Sequence, residues 1–421
     1  MYYFYVALFY LLLPVLLVFR YFSGLKWKYF NSRYLECLGF YKQNKTEHQY
    51  VWLHAVSVGE VEAAHVLIEY LRKNHPYRIL VTTGTETGYD RVRALQGDQV
   101  DHVYLPYDTP GSVERFLKQF QPKLAIIMET EIWPVLYSKC AKHSIPLFIV
   151  NARLSERSTR GYIKLRKFLT TVFSGVTAVV VQTEVDAHRY QEIGVLVDKI
   201  KVSGNIKLDM PIGKSIKPQA VQIKQDLFPD RLVFVIGSTH AGEEEIFLRV
   251  YQALKKEYSN LLLILVPRKP ERCPAVKDLC LKQGLDFIMR SDSQACKASD
   301  DIFLVDTLGE LKQMYSAADF AFVAGSMVPV GGHNIFEPVL LGVPVLFGPY
   351  MKNVELLAKK LLSAQGAVQC LDEGGIIQTI IQLTENPKKK QDLIINGRTF
   401  IEKNNGAVGR TMAIISPFIP T

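Results

Sequence analysis

The segment 325–349, GSMVPVGGHNIFEPVLLGVPVLFGP, combines a glycine-rich turn with polar residues that begin a predicted helix. Free backbone N–H groups at a helix start, together with the positive end of the helix dipole, form a site for phosphate. Glu337 follows Asn334 by three residues, so both side chains are expected on one side of the helix. The carboxylate can then accept hydrogen bonds from a ribose diol. This pattern favours a sugar-nucleotide site, and the alternative is an ordinary strand–turn–helix with a polar cap.

Two acidic motifs follow predicted strands in the first half of the chain. Glu60 ends HAVSVGE, a glycine turn between a strand and a helix, where a carboxylate can take the proton from an attacking hydroxyl group. The helix dipole lowers the pKa of such a carboxylate, so burial must offset it if Glu60 is a base. Otherwise Glu60 only complements the helix start. Glu129 and Glu131 in METEIWP are costly to bury unless they orient an acceptor or a cationic partner.

Basic and glycine-containing motifs supply further candidates in the rest of the chain. Lys207, near the junction of the two halves, either reaches a leaving phosphate or is simply solvated. Arg268 in PRKPER follows a buried strand, a place where arginine commonly faces a ligand. Leu308-Gly309-Glu310 begins a predicted helix and contributes free N–H groups, as does the turn GSTHAGEEE over 237–245.

Short apolar runs alternate with helical patterns along the chain, which predicts parallel sheets covered on both faces. Helices are predicted over 61–71 and 113–120. The predicted strands are 51–55, 79–83, 102–105, 124–128, 147–150, 178–182, 232–236, 261–266, 302–305, 320–324 and 343–347. The stretch 204–220 lacks periodicity and is rich in Gly, Pro and Lys, so it is the predicted domain junction. The predicted domains are therefore a membrane anchor over 1–21, an acceptor-binding domain over 22–205 and a nucleotide-binding domain over 206–421.

The N-terminal residues 2–19 carry no charge, and at 1.5 Å per residue they extend about 27 Å, roughly one hydrocarbon core. The basic residues that follow, Arg20, Lys26, Lys28 and Arg33, place the bulk of the chain on the cytoplasmic face. The alternative is a buried core helix. Pro14 leaves open whether the segment spans the bilayer or only inserts into one leaflet.

Composition and charge limit the remaining function classes. The net charge of +9 suits phosphorylated substrates or an anionic membrane, and the basic stretch 153–167 either meets lipid headgroups or is a solvated helix face. The six cysteines are scattered, which argues against a zinc site and a disulfide framework and fits a reducing compartment. No nucleic-acid-binding motif is present in the sequence. Two doubly wound domains facing each other across a cleft form the GT-B architecture, which glycosyltransferases share with epimerases and phosphorylases.

Several motifs resemble, in order and spacing, those of the 3-deoxy-D-manno-octulosonic acid (Kdo) transferases of lipopolysaccharide synthesis. They are HAVSVGE, LPYDTP, METEIWP, NARLSERS, GNIKLD, GSTHAGEEE, LILVPRKPER and GGHNIFEP. The resemblance covers essentially the whole chain. It implies a GT-B enzyme on the cytoplasmic face of the Gram-negative inner membrane. Such an enzyme transfers Kdo, with inversion and without a metal or other cofactor, from CMP-Kdo to the tetra-acylated disaccharide precursor of lipid A.

The resemblance also implies roles for individual residues. Glu60 is the proton acceptor, and Glu129 and Lys207 stabilise the transition state. The residues that hold CMP are Pro267, Arg268, Leu308, Gly309, Glu310, Asn334, Ile335, Phe336 and Glu337. The chain departs from the family at Lys269, where His is usual, and over 348–354, GPYMKNV, where a GPHTFNF-like stretch is usual.

The number of Kdo units that are added stays open. Two other functions are also compatible with these patterns. A nucleotide-sugar epimerase of the same architecture would need no lipid acceptor, which leaves the apolar N-terminus unexplained. A membrane-tethered nucleotide-binding module would make Glu60 only a helix-start acid.

Overall fold

A computed structural model describes residues 1–24, 33–42, 49–209, 216–292 and 294–419. The chain forms two compact units: unit 1 comprises 1–211 and 404–421, and unit 2 comprises 212–403. Of the predicted junction, residues 210–215 lie outside the described residues, as do Lys26 and Lys28.

Unit 1 contains a parallel seven-stranded sheet with the strand order β3-β2-β1-β4-β5-β6-β7. Its strands are β1 Tyr50–His54, β2 Arg78–Thr83, β3 Asp101–Tyr104, β4 Leu124–Met128, β5 Leu147–Ala152, β6 Ala178–Val181 and β7 Ile200–Val202. Its helices are α1 Tyr2–Gly24, α2 Val58–Asn74, α3 Glu86–Gln96, α4 Pro110–Phe120, α5 Pro134–Lys142, α6 Glu156–Ile163, α7 Arg166–Ser174 and α8 Glu184–Glu192. Helices cover both faces, so central strands such as β4 are fully buried and uniformly apolar.

Unit 2 repeats this architecture with the strand order β10-β11-β9-β8-β12-β13-β14, again all parallel. Its strands are β8 Leu232–Thr239, β9 Leu261–Pro267, β10 Phe287–Met289, β11 Ile302–Leu304, β12 Phe320–Val323, β13 Val345–Phe347 and β14 Val368–Gln369. Its helices are α9 Ile216–Leu227, α10 Glu243–Lys255, α11 Cys273–Lys282, α12 Leu311–Ser316, α13 Phe336–Leu341, α14 Glu355–Ser363, α15 Glu373–Glu385 and α16 Pro387–Asn404.

The C-terminal helix α17, Ala407–Ile415, belongs to unit 1, whereas the predicted second domain continued to residue 421. Its apolar face enters the core beneath the first sheet through residues such as Met412 and Ile415. The carboxylate of Asp209 accepts hydrogen bonds from the N–H groups of Gly406 (2.8 Å) and Val408 (2.6 Å), which fixes the helix start. The sequence does not show on which sheet this helix packs.

All eleven strands predicted from the sequence are present, with ends that differ by a few residues, and all are parallel. The two parallel α/β units therefore confirm the doubly wound pattern. The strands that were not predicted are β7, β10 and β14, which contain three, three and two residues and lie at sheet edges. A strand this short and half-exposed has no clear hydrophobic period.

Helix α1 contacts the core of unit 1 along one stripe, and most of its other described side chains over residues 2–18 are exposed. Tyr2, Tyr5 and Val6 contact the core of unit 1, and the Tyr5 hydroxyl donates to the carboxylate of Asp108 (2.9 Å). No helix within the described ranges is both long and apolar enough to cross a membrane, so the predicted membrane anchor is not confirmed.

Gly237, near the carboxyl end of β8, allows the closest side-chain approach to any described glycine of unit 2. A Cβ built on Gly237 would meet the Tyr315 hydroxyl of helix α12 at 1.9 Å and the Leu311 side chain at 2.9 Å. Tyr315 is 1 % exposed and packs in the core between the sheet and α12. Only glycine therefore lets α12 lie against this end of the sheet.

We expect Gly237→Ala to lower the free energy of unfolding by about 1–3 kcal/mol, the usual cost of overpacking a core. Thermal and urea unfolding measure the change. Gly374→Ala is the matched control, because a Cβ there would meet only an Asp372 oxygen at an ordinary 3.4 Å. Equal stabilities for the two variants would contradict the close contact with Tyr315.

Candidate active site

Glu60 lies in the first turn of α2, just beyond the carboxyl end of β1. Ser57 is the N-cap residue in an extended conformation, and its hydroxyl donates to the Glu60 carboxylate (3.1 Å). The backbone N–H of Val56 donates to the other oxygen of that carboxylate (2.7 Å). The sequence Ser-x-x-Glu thus forms a variant of the capping box, which turns the Glu60 side chain back over the end of the strand.

Burial raises the pKa of the Glu60 carboxyl to about 7 and is the largest influence on it. The hydrogen bonds from Val56 and Ser57 lower the pKa, and the nearby charges of Glu129 and Glu131 raise it. Burial therefore raises the pKa of Glu60 more than the local hydrogen-bond donors lower it. This is the condition under which Glu60 can act as a base. A carboxylate with a pKa near 7 can accept a proton efficiently at neutral pH.

Glu129 follows β4 directly and is 9 % exposed, in a left-handed backbone conformation with φ of 56°. One carboxylate oxygen lies 2.9 Å from the Lys207 Nζ, and the other lies 3.4 Å from the Arg153 Nε. The predicted cationic partner of this acidic motif is thus present. Arg153, which the sequence placed in a possible lipid-binding stretch, is an ion-pair partner of Glu129 instead.

Lys207 is held inside unit 1 by a short 3-10 helix, Ile206–Asp209. The N–H of Ile206 donates to the Asn151 side chain (3.1 Å), and the N–H of Lys207 donates to the Asn205 side chain (3.0 Å). A Cβ on Gly59 would be 3.9 Å from the Lys207 Nζ, so the ammonium group lies beside the start of α2. The structure therefore brings Glu60, Glu129 and Lys207 together at one edge of the first sheet.

Asn334 and Glu337 are in direct contact in unit 2, as their spacing predicts. The Asn334 side-chain amide donates to the Glu337 carboxylate (3.2 Å), and its oxygen accepts from the N–H of Phe336 (3.1 Å). Helix α13 begins at Phe336, which is 3 % exposed, and Ile335 is fully buried. Asn334 thus caps the helix and orients Glu337, while Ile335 and Phe336 fix the backbone by packing.

Glu243, which the sequence reasoning missed, occupies three backbone amides at the start of the glycine-rich turn. Its carboxylate accepts hydrogen bonds from the N–H groups of Gly325 (2.7 Å), Ser326 (3.1 Å) and Met327 (2.9 Å). The carboxylate is fully buried at the start of α10. The run of three glutamates over 243–245 was the available signal, but its acidic residues read as an ordinary helix start.

The remaining predicted donor residues follow β9 and β11, two neighbours in the second sheet. Arg268 is exposed, its N–H donates to the Thr239 carbonyl (3.0 Å), and it follows the buried Pro267. Leu308 is 81 % exposed and Gly309 has a left-handed φ of 86°. The Glu310 carboxylate accepts two hydrogen bonds from the Arg290 guanidinium (2.9 and 3.1 Å). These groups share the carboxyl edge of the sheet, where open α/β folds bind ligands.

The segment 348–354, which departs from the resembled family, supports the glycine loop. The N–H of Asn353 donates to the Gly331 carbonyl (2.9 Å), and its side-chain amide donates to the Gly332 carbonyl (3.2 Å). Asn353, which the GPHTFNF-like pattern also contains, thus holds the loop that leads to Asn334. Lys269, the other departure, is exposed.

No group of three or more His, Cys, Asp or Glu side chains in the described part of the chain could hold a metal ion. All six cysteines are buried and free.

Comparison with known proteins places this chain in a family. A family model described as 3-deoxy-D-manno-octulosonic-acid transferase (kdotransferase) matches residues 32–210. The chain is 36% identical to a 3-deoxy-D-manno-octulosonic acid transferase of Haemophilus influenzae, over 99% of this chain and 98% of that protein. It is 31% identical to the protein of that name from Rickettsia felis, over 88% of this chain and 79% of that protein.

A solved structure shares the fold at much lower identity. The UDP-GlcNAc 2-epimerase of Neisseria meningitidis, in a crystal structure with UDP-GlcNAc, is 16% identical, with a TM-score of 0.61 over 88% of this chain and all of that one. That likeness supports the fold only. The near full-length identity to named transferases decides the family: this chain belongs to the 3-deoxy-D-manno-octulosonic acid transferases, which are glycosyltransferase enzymes of lipopolysaccharide synthesis.

Proposed function

We propose that this enzyme moves Kdo, with inversion, from CMP-Kdo to the tetra-acylated disaccharide precursor of lipid A, with Glu60 as the general base. The observation that carries the proposal is the Glu60 carboxyl, whose burial raises its pKa to about 7 at the carboxyl edge of a parallel sheet. A carboxylate held only as a helix-start acid would be stabilised in its charged form by the dipole. Here burial opposes that stabilisation.

The proposed reaction needs a proton acceptor and positive charge. The acceptor hydroxyl attacks the anomeric carbon of Kdo, its proton passes to Glu60, and the electron pair of the breaking C–O bond stays on the CMP phosphate. The Lys207 ammonium, fixed 2.9 Å from Glu129, offsets negative charge that develops as that bond breaks. Glu129 therefore acts by positioning Lys207.

The donor is assigned to unit 2. The Arg268 guanidinium is exposed, forms no ion pair with the other described residues, and suits the phosphate of CMP. Glu337, oriented by Asn334 at 3.2 Å, suits the ribose hydroxyl groups. Backbone groups and packing contacts of six further residues complete the proposed site. They are Pro267, Leu308, Gly309, Glu310, Ile335 and Phe336.

Glu60→Gln is expected to reduce transfer on the order of 10²–10⁴-fold, because the amide cannot take the hydroxyl proton. The assay combines purified enzyme, labelled CMP-Kdo and the lipid precursor, with products weighed by mass spectrometry to count the Kdo units. CMP binding, followed by calorimetry, should survive the substitution. Glu69→Gln is the matched control, because Glu69 lies on the same helix and, among the described residues, is paired with Arg72 at the surface (2.9 Å). Normal transfer by Glu60→Gln would contradict the role of Glu60 as the general base and leave it a helix-start acid.

The transfer rate at saturating donor should rise with pH and level off above about pH 7. Below its raised pKa the Glu60 carboxyl is protonated and cannot act as a base, so the rate falls about tenfold per pH unit on the acid side. Initial rates across this range in one mixed buffer at constant ionic strength measure the profile. A midpoint near pH 4.5, the ordinary value for a glutamate, would contradict the role of burial.

We also propose that α1 holds the enzyme at the cytoplasmic face of the inner membrane while lying along unit 1. Tyr2, Tyr5 and Val6 face the domain core, and the opposite surface of the helix presents large apolar side chains. The exposed ones are Tyr3, Phe4, Leu8, Tyr10, Leu11, Leu12, Val15 and Val18. A contiguous apolar surface of this kind marks a membrane or protein contact.

Basic residues near this surface favour an anionic membrane as the partner. The ring of Phe168 in α7 lies 6.3 Å from the Tyr5 ring, so α7 packs beside α1. The start of α7 and the preceding α6 expose Arg157, Lys164, Arg166 and Lys167. Lysine and arginine near anionic headgroups each contribute on the order of 1 kcal/mol to binding.

Leu11→Asp is expected to weaken binding to vesicles that contain phosphatidylglycerol about tenfold, because an apolar side chain that enters the bilayer is replaced by a charge. Flotation of the full-length protein measures the bound fraction. Leu371→Asp in unit 2 is the matched control, since Leu371 is 71 % exposed and Leu11 is 74 % exposed. Equal binding by both variants would show that α1 does not enter the membrane.

A further inference from the structure

His240 and His333 form a close imidazole pair at the carboxyl edge of the second sheet. Their Nε2 atoms are 2.8 Å apart, and the rings are nearly parallel, with centroids separated by 5.1 Å and an angle of 6°. His240 follows the end of β8, and His333 lies in the loop between β12 and α13. Because β8 and β12 are neighbours, both rings lie where the proposed donor site is built.

The backbone around the pair fixes this geometry. Gly325 has a left-handed φ of 69°, and a Cβ there would lie 2.9 Å from the His333 ring and 3.4 Å from the His240 ring. The Glu243 carboxylate, which holds the N–H of Gly325, also accepts from the N–H of His240 (3.1 Å). One buried carboxylate thus anchors both sides of the pair.

A hydrogen bond between two imidazole nitrogens needs one proton between them. The pair can therefore be neutral, or it can carry a single positive charge, with the imidazolium donating to the neutral ring. It cannot carry two charges without breaking the contact, since both nitrogens would then be donors. The geometry limits the pair to taking up one proton.

The surrounding charges keep the free pair neutral and determine which ring takes that proton. Burial first, then His240 and Arg268, lower the pKa of His333 to about 4. Burial also lowers the pKa of His240, with Arg268 and Arg272 acting in the same direction and Glu243 and Glu244 opposing them. The two carboxylates favour His240 as the site of an added proton.

The Glu243 and Glu244 carboxylates already have hydrogen-bond partners, so neither is free to bind a cation beside the pair. Glu243 is hydrogen-bonded to four backbone N–H groups. Glu244, fully buried, accepts from Thr239 (2.9 Å) and from the Arg272 guanidinium (3.1 and 3.2 Å). Among the described groups around the pair, the two imidazoles are therefore the ones that can take up a proton.

We propose that His240 and His333 bind the phosphate of the donor nucleotide and take up one proton as it binds. The inference rests on the proposed function, in which unit 2 holds CMP-Kdo. A phosphate beside Arg268 stabilises the charged pair, so ligand binding and protonation favour each other.

The proton also balances the charge of the reaction. When the bond between the anomeric carbon and the phosphate oxygen breaks, its electron pair stays on that oxygen, and the phosphate changes from a monoanionic diester to a monoester with a second negative charge. The imidazolium N–H of the pair donates to this oxygen, while the acceptor proton goes to Glu60. The pair thereby supplies the leaving group with a charge that Arg268 alone does not provide.

Calorimetry with the full-length enzyme tests the proposal through the methyl ester of CMP, a phosphodiester that does not titrate near neutral pH. Binding heats in two buffers of different ionisation enthalpy at about pH 7 measure the protons taken up. We expect wild-type enzyme to take up a substantial fraction of one proton. Its affinity should rise as pH falls from about 8 to 6, by at most tenfold per pH unit for one proton. Cytidine, which lacks phosphate, should bind without proton uptake.

His240→Gln and His333→Gln should each abolish the proton uptake and weaken binding of the methyl ester, while cytidine affinity stays unchanged. His188→Gln, at an exposed position in unit 1, is the control and should behave as wild type. Binding of the methyl ester by wild-type enzyme without proton uptake, or uptake that persists in both variants, would overturn this inference alone. Failure of wild-type enzyme to bind CMP and its methyl ester would overturn the proposed donor site as well.

Discussion

The free-energy cost of burying charge at the carboxyl edge of a parallel sheet governs this enzyme. Parallel strands all end at one edge, so acidic residues that follow different strands become neighbours there. Glu129 meets this cost with Lys207 and Arg153 at 2.9 and 3.4 Å. Glu60 accepts one backbone N–H and one hydroxyl, and burial raises its pKa to about 7. Two carboxylates at one edge therefore meet the cost of burial in different ways: Glu129 has cationic partners, and Glu60 has a raised pKa.

The same constraint shapes unit 2 in another way. Glu243 is fully buried and meets its cost with backbone N–H groups rather than with a cation. It holds the glycine turn rigid, and those amides are no longer available to phosphate. Positive charge for an anionic ligand must then come from side chains at the rim, chiefly Arg268 and the pair formed by His240 and His333. The buried Glu243 carboxylate holds the backbone in place, and the exposed or half-buried basic groups are the ones proposed to bind the anionic ligand.

Much of the fold and part of the site could be predicted from local pattern. Strands such as Leu124–Met128 are continuous apolar runs because both faces of the sheet are covered, and runs of this kind are visible in the sequence. Glu60 and the Asn334–Glu337 contact were predicted because capping and one-turn spacing act over a few residues. The Arg153–Glu129 pair and the amide contacts of Glu243 were missed, since their partners are distant in the chain.

The sequence by itself determined the alternating strands and helices, the family motifs and the places where acidic residues leave the strands, because these depend on local periodicity and residue type. Tertiary structure alone decided that the C-terminal helix returns to unit 1, that α1 lies along that unit, and that burial raises the pKa of the Glu60 carboxyl to about 7. The physical reason is that burial, and therefore the pKa of a carboxyl, depends on every element packed around it. No local pattern records that packing.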